Sequence, residues 1–441
     1  MPKVKADAPY LVALNLTERC NLACAHCYLD ARHLKEGGSD ELSTADIKRV
    51  LGEIAEVGPE AMVVLTGGEP TLRPDLPELA NHASGLGLMV VVGTNGMSLT
   101  VDRVRSLQQA GVAGMGISVD SLDAEIHDDF RGLKGAWART MGGIDACKDV
   151  GMPFQIHFSA TDETADEIDA MVSFARDSGA MVLNVFFMVC TGRGEKYSDI
   201  SPEKYEMVLR RVAAAAKREK RLMVRAKCAP HFKRIATEMD PDWAITAVHG
   251  YDAGGCIAGT HYARITPNGT VTACPFMETP AGSVRDTPFA DIWRDSPHLQ
   301  SLRAPKLEGR CGACEYQKLC GGCRARPLAR DGNLMGEDYL CTYQPQGGAV
   351  IDPLGALAQS GPVSWAEEAT AHLSRIPGFV RRMVCRRAES HVREQGRQEV
   401  TVADLQYLKQ KRFGDAGPPK GLMSGQPGFG KSTGIDVRGG D

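Results

Sequence analysis

YLVALNLTERCNLACAHCY, residues 10–28, decides the architecture of this chain. It opens with a run, Tyr10 to Leu16, that is mostly apolar at consecutive rather than alternate positions, as a strand covered on both faces requires. It closes on Cys20, Cys24 and Cys27 in C-x3-C-x2-C spacing. Three thiolates on one tight loop suit three irons of a cubane [4Fe–4S] cluster and leave the fourth iron open to a small molecule. A structural zinc site would want a fourth nearby ligand and paired C-x2-C spacings.

Five further short β-rich runs follow, most of them likewise apolar at consecutive positions: Met62 to Gly68, Leu88 to Gly96, Met115 to Ser121, Phe154 to Ala160 and Met181 to Met188. Helical patterns separate them, the first entered through Ser43-Thr44-Ala45-Asp46 as a candidate N-cap before Ile47 and Leu51. Repeated β-α units imply a parallel sheet with right-handed crossovers. The expected fold is therefore α/β, a partial (β/α)6 TIM-like barrel over residues 9–224 with its active site at the C-terminal strand ends.

Residues 225–345 change character: cysteines, glycines and short turns dominate, and Pro267-Asn268-Gly269 marks a hairpin. A Gly/Pro-rich linker is expected over 346–363, a small helical domain over 364–413 and a disordered tail over 414–441. In the helical segment Trp365, Ala369, Leu373 and Ile376 recur at helical spacing, Pro377 and Gly378 break the pattern, and Thr401 is placed to cap a last helix.

The whole chain has 441 residues, 51 basic and 55 acidic side chains and a formal charge of -4. That balance gives no global attraction to nucleic acid or to an anionic membrane, and neither is expected as a partner. Neither a signal peptide nor a membrane-spanning stretch is recognisable, so a cytoplasmic location is expected. In that compartment thiols stay reduced, and 14 cysteines read as ligands or packing rather than disulfides.

With its six β-α units, LTERCNLACAHCY resembles the radical S-adenosylmethionine superfamily, over about residues 10–220. Further marks of that superfamily stand at successive strand ends. Gly67-Gly68-Glu69-Pro70 follows the second run, Thr94-Asn95-Gly96 ends the third, Ser118 and Asp120 end the fourth, and His26 holds the aromatic position before Cys27. The resemblance implies that the Gly-Gly-Glu-Pro segment holds the methionyl amino group of S-adenosylmethionine, that Thr94, Asn95, Ser118 and Asp120 lie near its ribose and carboxylate, and that His26 lies beside the adenine. It also implies the chemistry: reductive cleavage of S-adenosylmethionine to methionine and a 5′-deoxyadenosyl radical, which abstracts hydrogen from an inert C–H bond. A low-potential donor such as ferredoxin or flavodoxin would supply the electron. Arg193, after the sixth run, is a candidate to face the adenosyl group or a substrate carboxylate.

Downstream come Cys256, Gly269-x4-Cys274, Cys311-x2-Cys314-x5-Cys320-x2-Cys323 and Cys341. This resembles the SPASM-type extension that carries one or two auxiliary [4Fe–4S] clusters. Gly321-Gly322 shorten the last interval to two residues where the family often has three. By analogy Cys311, Cys314, Cys320 and Cys341 would hold one cluster and Cys256, Cys274 and Cys323 another, with Cys228 a candidate fourth ligand. A zinc-ribbon module is the competing reading, and spacing alone does not separate the two.

Two resemblances bear on substrate. RAKCAPHFKRI, GCIAGTHYARITPNGTVTACPFME and GRCGACEYQKLCGGCRARPLA are similar to radical enzymes of the siroheme-dependent haem pathway and of haem d1 synthesis. Residues 364–412 resemble the C-terminal domain of the light-independent protochlorophyllide reductase B subunit. Both imply a tetrapyrrole, an iron porphyrin in the first case, losing an acetate or oxidatively decarboxylating a propionate. The 364–412 segment holds ten Lys/Arg against six Asp/Glu, and Arg381, Arg382, Arg386 and Arg387 would suit carboxylates on a macrocycle edge. The alternative is a SPASM-type peptide-modifying maturase, against which stands the short stretch of about nine residues before the first strand. His157 and His231 are weaker candidates, the first more often core, the second open to ligation or proton transfer. Gly425 to Ser432 fits the phosphate-loop pattern, but no strand, helix or nucleotide fold surrounds it, and it is read as coincidence.

Overall fold

The computed structural model describes residues 8–29, 31, 38–59, 61–196, 200–241, 255–351, 363–374, 376 and 378–413. The tail and most of the expected linker, together with the phosphate-loop pattern, lie outside the described residues.

Each of the six apolar runs forms a strand: β1 (Leu11–Asn15), β2 (Met62–Thr66), β3 (Met89–Thr94), β4 (Val112–Ser118), β5 (Phe154–Ala160) and β6 (Val182–Phe187). They pair in sequence order and in parallel. The helix Thr44–Val57 starts as expected in a capping box, with Ser43 Oγ accepting from the Asp46 N–H and the Asp46 carboxylate accepting from the Ser43 N–H. Its Ile47, Val50, Leu51 and Ile54 are buried on the sheet.

Two features extend the sheet beyond the six expected units. A seventh parallel strand, β7 (Met223–Lys227), pairs with β6, so the expected boundary at residue 224 falls inside a strand. Its sequence, MVRAK, hides it from an apolar-run search because polar side chains occupy alternate positions. At the other edge β8 (Tyr262–Ile265), from the cysteine-rich region, pairs in parallel with β1. The expected turn at 267–269 then leads into antiparallel β9 (Thr270–Thr272) and β10 (Pro280–Ser283), with Gly269 at φ 93°. The result is one ten-stranded sheet in the order β10-β9-β8-β1-β2-β3-β4-β5-β6-β7, whose end strands do not pair with each other. It is an open barrel, and the cysteine-rich region extends its sheet.

Beyond the barrel, Trp365 lies in a two-residue strand, β11 (Ser364–Trp365), parallel to β12 (Glu399–Val400), and not in the expected helix. Helices Glu367–Ser374, Gly378–Glu394 and Val402–Phe413 surround a small core of Ala369, Ala388, Val392, Val400 and Leu405. Among the described residues no helix is long and apolar enough to cross a membrane.

Leu65 is fully buried between sheet and helices. Leu65→Ala should cost about 2–5 kcal/mol, read as a lower urea midpoint at unchanged slope.

Candidate active site

The cysteine loop leaves β1 and is pinned from three sides. Gly68 N–H donates to the Thr17 carbonyl and Glu69 N–H to that of Arg19, both at 2.8 Å, so the Gly67-Gly68 segment lies directly on the loop backbone. A Cβ on Gly68 would stand 2.2 Å from the Arg19 carbonyl oxygen, and Gly67 has φ 140°, which explains why two glycines are needed there. The Glu69 carboxylate is fully buried and accepts from Thr71 N and Oγ1, Thr94 Oγ1 and Asn95 N at 2.6–3.1 Å. Burial pushes this carboxyl up, against the pull of those donors. Asn95 Nδ2 in turn donates to Asn21 Oδ1 at 2.7 Å, beside Cys20.

Arg193 lies against the cysteine loop. Its Nε donates to the Cys24 carbonyl at 3.0 Å, its Nη1 to that of Ala31 at 2.7 Å and its backbone N–H to that of Cys27 at 3.1 Å, which commits the guanidinium to clamping the loop. His26 stacks on Phe130 with centroids 4.2 Å apart and planes within 8°. Its Nδ1 is buried without a hydrogen-bond partner, and burial lowers its pKa to about 4, so the ring is neutral.

Nothing in the sequence singles out Arg131, which ends the helix Ala124–Arg131. It is 7% exposed, forms an ion pair with the 1% exposed Asp120 and donates from Nη1 to Cys24 Sγ at 3.7 Å. Burial is the largest influence and opposes the charge on Asp120, yet the Arg131 guanidinium, with smaller help from His26, His127 and the Ser159 N–H, holds the carboxyl below its usual range. Asp120 also accepts from the Ser159 N–H at 3.0 Å, and its own N–H donates to His127 Nδ1 at 3.2 Å. Ser118 ends β4 half-buried on the lumen side, in register with His157.

Burial pushes the Cys20 thiol up to about 12 and raises that of Cys24 as well. Among the described residues no group of three or more His, Cys, Asp or Glu side chains stands in metal-holding geometry.

The downstream cysteines fall into two neighbourhoods. Burial raises the thiol pKa values of Cys228, Cys274 and Cys323, and neighbouring cysteines of the same set, Cys256 among them, raise each of the three further. Cys311, Cys314, Cys320 and Cys341 line one cavity. Between the two sets lies a buried network. Asp338 Oδ2 accepts from Arg326 Nη1 at 3.0 Å and from the Cys323 N–H at 2.8 Å, while Arg326 Nη2 donates to the Cys228 carbonyl at 2.7 Å. Cys228, with φ 55°, is the non-glycine residue with positive φ among the described residues. His231 belongs to this network: its Nδ1 is 2.8 Å from Tyr205 Oη, and burial lowers its pKa to about 4. Cys147 is buried in a helix, as packing requires.

In the C-terminal unit Arg381 donates to the Leu373 and Ile376 carbonyls at 3.1 Å, so it caps a helix end instead of reaching outward for a macrocycle. The side chains of Arg382 and Arg386 lie outside the described residues.

The pattern of the radical SAM superfamily matches residues 14–175, that of an iron-sulfur cluster-binding SPASM domain matches 256–323, and that of the proto-chlorophyllide reductase 57 kD subunit matches 365–409. An AdoMet-dependent heme synthase of Methanosarcina barkeri is 38% identical over 345 residues, 77% of this chain and 98% of that protein. The chain belongs to the radical SAM superfamily. This radical SAM enzyme is also 31% identical to a pre-heme d1 synthase of Dinoroseobacter shibae, over 77% of the chain and 88% of that protein. A PqqA peptide cyclase of Rhizobium meliloti is 28% identical over 76% of the chain and 88% of that protein. The fold is that of Streptococcus suis SuiB bound to S-adenosylmethionine, with TM-score 0.62, 19% identity and coverage of 76% of this chain and 78% of that one. As a radical SAM enzyme with a SPASM region it uses a [4Fe–4S] cluster, S-adenosylmethionine and auxiliary iron–sulfur chemistry.

Asp120→Asn should leave Arg131 buried without its counter-charge and cost about 3–5 kcal/mol at neutral pH. The Asp120 contribution is complete above about pH 4 and is lost as pH falls through the depressed folded value. Denaturation curves between neutral and acid pH should therefore converge for the two proteins at the acid end.

Proposed function

We propose that this radical SAM enzyme abstracts hydrogen from a carboxylate-bearing side chain of an iron tetrapyrrole, leading to oxidative decarboxylation of a propionate or loss of an acetate. The alignment with an AdoMet-dependent heme synthase over 98% of that protein's length carries the reading. The match of residues 365–409 to a proto-chlorophyllide reductase subunit supports it from a separate part of the chain.

In this reading Cys20, Cys24 and Cys27 hold the first cluster, which with S-adenosylmethionine supplies a 5′-deoxyadenosyl radical. The Gly67-Gly68-Glu69-Pro70 segment, Thr94, Asn95, Ser118, Asp120 and His26 form the wall on which S-adenosylmethionine lies. Glu69 acts mainly by fixing three strand ends, since its oxygens already accept four protein donors. Arg131 sets the charge beside Cys24, and Arg193 fixes the loop path. A small low-potential electron carrier, ferredoxin or flavodoxin, reduces the cluster.

Cys311, Cys314, Cys320 and Cys341 hold one auxiliary cluster, and Cys256, Cys274, Cys323 and Cys228 hold the other. The strained φ of Cys228, and the Arg326 bond to its carbonyl, support its place as fourth ligand. Anaerobically reconstituted protein should carry about twelve irons, four for each cubane. Cys228→Ala should lower that number by up to about four and alter the electron paramagnetic resonance of one cluster only. Four irons in the wild type would reject both auxiliary clusters.

The reaction is tested by giving the reduced protein S-adenosylmethionine with iron coproporphyrin or didecarboxysiroheme. A shifted Soret band, 5′-deoxyadenosine and a product lighter by carboxyl-derived mass are expected. The second reading, peptide modification, is favoured by the peptide cyclase relative. No response to either porphyrin, with 5′-deoxyadenosine formed only with a peptide, would establish it instead.

A further inference from the structure

Side chains alternate along β5, β6 and β7. Ile156, Phe158, Leu183, Val185, Phe187 and Val224 are buried on the helix side. The opposite side faces the lumen of the open barrel, where register places His157 beside Asn184 and Asn184 beside Arg225, with Phe186 beside Lys227 in the next row. Gly116 confirms the facing, since a Cβ there would stand 2.5 Å from His157 Cε1.

The charge on this lumen is one-sided. Strands β1–β8 contain no Asp or Glu, and their cations are Arg225, Lys227 and Arg264. Arg264 is already engaged, donating from Nε to Thr272 Oγ1 at 3.0 Å and from Nη1 to the Pro275 carbonyl at 2.8 Å. Arg225 and Lys227 are half-buried and make no ion pair among the described residues, and Arg225 Nε is buried without a hydrogen-bond partner. Nearby carboxylates are spent elsewhere, Asp120 on Arg131 and Glu69 on its four donors.

A half-buried, unpaired arginine beside a lysine costs desolvation that nothing in the described structure returns. In a chain of net charge -4 the bias does not come from composition. Two residues apart on one strand, the two Cα atoms stand roughly 6.5 Å apart on the same side, which suits two carboxylates carried by neighbouring arms of one ring. The location also fits. Lys227 precedes Cys228, and across the lumen Tyr28, next to Cys27, packs against Phe276 at 5.6 Å, two residues beyond Cys274.

We propose that Arg225 and Lys227 are the anchor for two substrate carboxylates, holding a polycarboxylate ring in the lumen between the cysteine loop of β1 and the Cys228 set. This rests on the tetrapyrrole reading above and adds the residues that would select for free carboxylates. Arg225 takes one carboxylate through its fork of N–H donors, and Lys227 takes the other as a point charge.

The test is anaerobic Soret titration of the full chain with iron coproporphyrin and with its tetramethyl ester. Wild type, R225Q, R225Q/K227Q and the charge-keeping exchange R225K/K227R are compared, with iron per chain measured for each. The free acid should bind the wild type, lose about tenfold in affinity for each charge removed, and stay within a few-fold in R225K/K227R. The ester should bind weakly and equally to all four. If R225Q/K227Q binds the acid as the wild type does, the anchor is overturned and the tetrapyrrole reading stands. If the wild type gives no Soret response, both fall. Should K227Q cost iron through its neighbour Cys228, R225Q alone decides, with undiminished affinity overturning the proposal.

Discussion

A buried carboxylate with four donors and no counter-ion among the described residues is tolerable only while every donor stays in place, and Glu69 imposes that condition on three strand ends at once. Its donors come from Thr71 after β2 and from Thr94 and Asn95 at the end of β3, while its own N–H reaches the Arg19 carbonyl of the β1 loop. Loss of one donor would leave an acceptor unsatisfied in a dry site, a penalty of about 1–3 kcal/mol. The path of the cysteine loop is thus tied to the positions of β2 and β3. The Asp120–Arg131 pair extends the same logic to β4 and reaches the Cys24 sulfur.

Much of this was legible in the sequence, for a definite reason. Strands that are apolar at successive positions stand out as runs, as β1 to β6 do apart from the alternating FQIHFSA of β5, and the ends of several carry the marks that resemble the superfamily. β7 does not stand out, because one of its faces meets the lumen and carries Arg225 and Lys227. The feature that concealed the strand is the one with the clearest chemical use. Trp365 misleads for the opposite reason: its spacing to Ala369 and Leu373 is helical, but pairing with Glu399–Val400 draws it into a strand.

Site residues divide along similar lines. Motif positions such as Gly67, Gly68 and Glu69 are readable because backbone approach and burial leave few residue types possible. Arg131 and Arg326 are not, since an arginine in a helix reads as a solvated charge until its partner is known. Arg193 was legible as a candidate, but its bonds to the Cys24 and Ala31 carbonyls of the loop were not. The grouping of Cys228 with Cys256, Cys274 and Cys323 was open in the sequence only as a candidate, because it depends on the fold bringing residues nearly a hundred positions apart into one neighbourhood.

The pairing of β8 with β1 has a consequence for how such a chain could have been assembled. The cysteine-rich region is no bead on a string, because it supplies the hydrogen-bonding neighbour of the strand that launches the first cysteine loop. Without it the backbone of β1 would present a bare parallel edge, open to water or to a foreign strand. The two iron–sulfur regions therefore share a mechanical foundation, and neither could be gained, lost or exchanged in evolution without the other being re-seated.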